Sequence, residues 1–132
     1  MVQTIQVSDE LYRRLQRTAE ATHQPIEHVV EQALSAGLPP SAEDVPPAFR
    51  ADVHGLEELG DDDLWAIWRT TASAQEAARH HSLLDRQAAN TLTSDERKEL
   101  GRLRHEADRR LIRRAHAAAL LRWRGHAVPI DG

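Results

Sequence analysis

One short alternating stretch, Thr4-Ile5-Gln6-Val7, stands ahead of two helix-like runs, and no second strand pattern follows nearby. This constrains the chain more than any other feature. A lone strand cannot pair its own backbone N–H and C=O groups, and an isolated strand is not stable in water. The simplest solution is the same stretch from a second copy, which gives a two-stranded ribbon and an obligate homodimer. Side chains alternate across a strand, so Ile5 and Val7 would face inward and Val2, Thr4 and Gln6 outward.

The two following runs, SDELYRRLQRTAEA and PIEHVVEQALSAGL, are amphipathic. Ser8 or Asp9 can cap the first, and Leu11, Leu15 and Ala19 recur at four-residue spacing as its core stripe. Thr22-His23-Gln24 is the turn. Pro25 suits the first position of the second helix. Ile26, Val29, Val30, Ala33 and Leu34 form that helix's apolar face, and Gly37 with two prolines ends it.

Segment 4–38 resembles the ribbon-helix-helix DNA-binding domains of bacterial repressors and antitoxins. The resemblance rests on Ile5 and Val7, the SDELYRRL opening and the stretch AEATHQPIEHVVEQAL. Family members usually carry Gly where His23 stands, and Ser or Thr near Pro25. The resemblance implies a dimer whose ribbon enters the major groove of operator DNA. Gln6 would pair with adenine, Thr4 would touch a thymine methyl, and Val2 would make apolar contacts. Backbone N–H groups from Gln24 onward would clamp a phosphate, although Pro25 removes one donor. The competing reading is a ribbon that only locks the dimer, because no Arg or Lys lies in the strand.

Residues 39–49 (PPSAEDVPPAF) hold four of the six prolines and read as an extended, partly stiff linker. Beyond it, residues 50–132 read as a helical domain. Phe49, Val53, Leu56 and Leu59 suggest a short apolar helical face interrupted by Gly55. Asp61, Asp62 and Asp63 open the next helix, where negative charge favours the dipole. A further helix spans roughly 74–89, carrying Ala77, Leu83, Leu84 and Ala88, and Asn90 breaks it. Thr93 and Glu96 form a capping box for a last helix running to about Arg124, roughly 45 Å long. Leu100, Leu103, Ala107, Leu111, Ala115, Ala118 and Leu121 form its expected apolar stripe. Segment 56–128 also resembles the helical C-terminal half of small bacterial proteins with antitoxin-like N-termini, often found near predicted nucleases.

The net charge of −4 conceals a gradient. Residues 1–40 carry three basic and five acidic side chains, 41–93 four and ten, and 94–126 ten and five. The slightly acidic first module counts against tight DNA binding. The basic tail holds Arg109, Arg110, Arg113, Arg114, Arg122 and Arg124. Its pairs 109/113 and 110/114 stand side by side on a helix. Clustered guanidinium groups suit carboxylates or phosphates. They would fill a nuclease's acidic cleft, bind nucleic acid directly, or pair with the acidic middle segment. Trp123, flanked by arginines, has the composition of an interface hot spot or else packs on its own domain. Trp65 and Trp68 read as core.

The eight histidines show no metal-ligand spacing and read as scattered surface residues. Without cysteine there is no disulfide, thiolate metal site or Cys nucleophile. No nucleophile elbow, phosphate loop or paired-carboxylate pocket is present, so an enzyme is not expected, nor any cofactor or metal. No signal-peptide-like run or long apolar stretch occurs, so a soluble, cytoplasmic protein without membrane contact is expected.

The sequence therefore predicts a mainly α chain. Residues 1–38 form a ribbon-helix-helix dimerisation and DNA-binding module, 39–49 a linker, and 50–132 a helical partner-binding domain. The resemblance implies an antitoxin-like regulator. Val2, Thr4, Gln6, Gln24 and Pro25 would meet operator DNA. The arginines above and Trp123 would hold a protein partner, expected to be a nuclease toxin. The alternative is a dimeric helical scaffold that does not bind DNA.

Overall fold

The structure, a computed structural model, describes residues 2–129. Among these the chain is mainly helical and contains no strand. It divides into two compact units, with the break between Leu38 and Pro39.

The first unit is a helical hairpin of α1 (Asp9–Thr22) and α2 (Ile26–Gly37). Ser8 begins α1 as anticipated, its Oγ accepting from the Leu11 N–H at 3.2 Å. The turn depends on His23, which adopts the left-handed conformation (φ +54°). The N–H groups of His23 and Gln24 then reach back to the carbonyls of Glu20 and Ala19. Pro25 stands one residue before α2 as its cap rather than at its first position, and contributes no side-chain hydrogen bond there. The strand expected over residues 3–7 does not form in the single chain. A ladder takes two segments, and one copy supplies one.

The second unit contains α3 (Arg50–Val53), α4 (Asp61–Trp68), α5 (Ala74–Ala88) and α6 (Ser94–Trp123). Residues 39–49, expected as an extended linker, instead form two 3-10 turns, Ala42–Asp44 and Pro47–Phe49. Ala42 and Val45 pack on the core, and the Phe49 ring stacks on His105 with centroids 5.7 Å apart. Proline content suggested a spacer, but the apolar residues between the prolines have a surface to cover. Gly55, at φ +85°, divides the apolar run 49–59 into α3 and a 3-10 turn, Leu56–Glu58. This lets Val53 and Leu56 both turn inward.

The 30-residue α6 is the spine of this unit. Its capping box is complete: Thr93 Oγ accepts from the Glu96 N–H (3.1 Å), and Glu96 Oε1 accepts from the Thr93 N–H (3.0 Å). Two separate cores lie along the helix. Near its start, Leu83 of α5 packs with Leu100 and Leu103. Near its end, Val53, Leu56 and Leu64 pack with Ala117, Ala118, Leu120 and Leu121, and Trp65 and Trp68 lie against this cluster. The expected stripe is correct at both ends and wrong in the middle. Leu111 is 61% exposed and Ala115 is also exposed. The inward seam runs instead through Leu103, Ala107, Arg110, Arg114 and Ala117, keeping a three-four spacing but placing two arginines where a core would place leucines.

Candidate functional site

The two arginines in the seam mark the most distinctive surface of the second unit. Where α5 no longer covers α6 and α4 reaches its C-terminal end, a cleft of about 440 Å³ opens. Arg109, Arg110, Arg113 and Arg114 line its α6 side. Asp52 and His54 line the α3 side, and Ile67 and Thr70 the α4 side. Four of the seven residues proposed from sequence for partner binding are thus brought into one concavity.

Their electrostatic states differ. Arg109 donates to Asp52 at 2.8 Å and to Glu106 at 3.0 Å. Asp52 and then Glu106 hold its guanidinium protonated above even its ordinary range. Arg110 forms an ion pair with Glu76 of α5 at 3.0 Å. Arg114 meets no carboxylate among the described residues. Its Nε donates to the Trp68 carbonyl at 2.7 Å, and its guanidinium lies 6.0 Å from the Trp68 ring centroid. Arg113 is exposed and forms neither a hydrogen bond nor an ion pair among the described residues. The cleft therefore holds two neutralised arginines and two without a counter-charge.

The other three residues serve elsewhere. Arg124 donates to Asp61 at 2.8 Å and to the Glu57 carbonyl at 3.0 Å. Arg122 donates to the Val128 and Pro129 carbonyls. Both fasten the end of the helix to its own unit. Trp123 is 51% exposed and does not line the cleft. The acidic middle segment thus pairs with part of the basic tail, through Asp52, Asp61 and Glu76.

In the first unit, Val2, Thr4, Gln6 and Pro25 are exposed and Gln24 is half-buried. Ile5 is 64% exposed, Val7 42%, Leu11 42%, Tyr12 45% and Leu34 48%. Among the described residues of this unit, only Ala19 and Val29 are buried. The predicted inner face of strand and hairpin therefore lies open in one copy of the chain.

Sequence reasoning missed two features. Asp52 and His54 gave no signal as cleft residues, since 57 positions separate Asp52 from Arg109. Arginine recurring at inward positions of α6 was the available clue. The histidines are not all superficial either. His116 is 5% exposed, and its Nε2 has no hydrogen-bond partner. Burial pushes its pKa down, against the opposing pull of Asp44 and Glu57. No group of side chains suited to a metal ion occurs among the described residues, and none of their helices is long and apolar enough to cross a membrane. No protein-family model matches the chain, nor does any curated protein or solved structure.

Proposed function

We propose that the chain is an antitoxin-like transcriptional regulator whose first unit dimerises as a ribbon-helix-helix and binds operator DNA, while its second unit binds and restrains a protein partner. The observation that carries this reading is the open apolar face of the first unit. Two helices and a short lead segment bury, among the described residues, only Ala19 and Val29 in one copy. A unit below about 40 residues needs disulfides, a metal or oligomerisation to hold a core, and the chain has no cysteine. A second copy would supply a strand to pair with residues 3–7 and a surface to cover Ile5, Val7, Leu11 and Leu34. The turn adds support. His23 occupies a left-handed position at the site where the resembled family usually carries Gly.

In this reading Thr4 and Gln6 meet base edges, Val2 makes apolar contacts beside them, and the backbone after Gln24 and Pro25 approaches a phosphate. The nuclease toxin remains the proposed partner, met by the arginines of the second unit. The first module's five acidic against three basic residues favours a second reading, a dimeric scaffold without DNA contact.

Light scattering and gel-shift measurements on the full chain, with DNA from its own promoter region, separate the two. The regulator is a dimer that shifts that DNA. Thr4→Ala with Gln6→Ala abolishes the shift but leaves the dimer, and Ile5→Lys abolishes both. A dimer that shifts no promoter fragment supports the scaffold. A monomer rejects both readings.

A further inference from the structure

The arginine cleft has a chemistry of its own, and every residue involved lies in the second unit, so the inference does not depend on the ribbon-helix-helix reading. Charged side chains are placed at inward positions at a cost in desolvation, and proteins that keep them there usually pair them. Arg110 meets Glu76. Arg114, half-buried at the next inward position, meets only a carbonyl and the face of Trp68. Arg113 beside it forms no hydrogen bond or ion pair among the described residues. The two guanidinium groups leave a local charge of two without a carboxylate to balance it.

The walls narrow the choice of ligand. Asp52 of α3 and Glu106 of α6 flank Arg109. An extended polyanion such as a nucleic-acid strand would run its neighbouring phosphates against these carboxylates. A single anionic group placed over Arg113 and Arg114 would not. The cleft is also larger than a bare ion requires, since about 440 Å³ falls in the range of small-molecule sites. Ala51 and Ile67 supply an apolar portion of its wall.

We propose that this cleft is a binding site for a small organic oxyanion, a carboxylate or a phosphate monoester on a short apolar stem, gripped by Arg113 and Arg114. The planar guanidinium fork suits either oxyanion and forms paired charge-assisted hydrogen bonds. Arg114 is held in place by the Trp68 carbonyl before the ligand arrives, so one of the two forks is already oriented. Arg113, exposed beside it, supplies the second fork. Arg109, tied by Asp52 and Glu106, positions the α3 wall rather than contacting the ligand.

The test is a titration of the full chain followed by the Arg Nε–Hε resonances in 15N-labelled protein. The probes are inorganic phosphate, phenyl phosphate and phenylacetate, with benzyl alcohol and sodium chloride at matched ionic strength as controls. Saturable shifts of Arg113 and Arg114 with phenyl phosphate or phenylacetate, and not with the controls, are expected. Saturation by phenyl phosphate alone assigns the phosphate monoester, and by phenylacetate alone the carboxylate. Arg113→Gln, an exposed change compatible with the fold, should weaken binding at least about tenfold. Arg97→Gln, on an exposed part of α6 outside the cleft, should leave it unchanged. Asp52→Asn removes a carboxylate charge from the cleft wall and should tighten binding. Shifts that grow linearly with salt, or equal saturation in Arg113→Gln, overturn the proposal, as does saturation by inorganic phosphate alone.

Discussion

His126 Nε2 lies 2.7 Å from Oδ2 of Asp61, 65 residues earlier in the chain, while Oδ1 of the same carboxylate accepts from Arg124 at 2.8 Å. One side chain at the first turn of α4 thus fastens the last turn of α6 and the segment after it. The Arg124 hydrogen bond, then that of His126, holds the Asp61 carboxyl below its ordinary range. Its stabilisation is therefore present above the unfolded value near 3.8 and is lost as pH falls through the folded value. Asp61→Asn should lower the melting temperature at pH 7 and flatten its decline below about pH 4. Thermal melts across a pH series check both.

His116 predicts a different pH dependence. Burial lowers its folded pKa below the usual 6.5, so the unfolded chain takes up a proton first as pH falls. Stability of the second unit should decline from about pH 6.5 downward until the folded value is reached. Asp44 and Glu57 moderate the decline without removing it. His116→Leu removes both the proton uptake and the unsatisfied Nε2. It should flatten the melting curve series between pH 7 and 5 and add about 1–2 kcal/mol at pH 6. A variant with the same pH slope as the parent would show that another group carries it.

Leu83 is fully buried and is α5's contribution to the first of the two cores. Leu83→Ala should cost about 2–5 kcal/mol. Hydrogen exchange should then show α5 and the first turns of α6 opening ahead of Val53, Leu64 and Leu121, which belong to the other core.

At the hairpin turn, a left-handed residue other than glycine carries a backbone penalty of about 1 kcal/mol. His23 sits at such a position, and the turn is closed by backbone hydrogen bonds, from the His23 and Gln24 N–H groups to the Glu20 and Ala19 carbonyls. His23→Gly should therefore raise the stability of the first unit by a similar amount, less the extra freedom of glycine in the unfolded chain. Denaturant titration of the full chain checks this.

The helices were legible because their signals are local. The Thr93–Glu96 capping box, the acid-rich start at Asp61 and the stop at Asn90 each act within one turn, and each stands where the sequence placed it. What periodicity could not give was which side of α6 meets a neighbour in its middle. Leu111 and Ala115 fit an apolar stripe as well as Arg110 and Arg114 fit a basic one, and only the reach of α4 and α5 decides between them. The packing of residues 39–49 was hidden for a related reason, since proline reports backbone stiffness but not what Val45 will touch. The cleft was half legible: its arginines could be read as a cluster, whereas Asp52 and His54 come from a distant turn.

The two arginines inside the seam also separate the cores at either end of α6. Each core alone is small, and the stretch between them is one continuous helix held by its own ladder of backbone hydrogen bonds. Any effect of one end on the other therefore passes through the ladder rather than through side-chain packing. The cooperativity of the second unit is thus carried along a helix axis, and a glycine substituted between the two cores, as in Asp108→Gly, weakens the coupling without touching either.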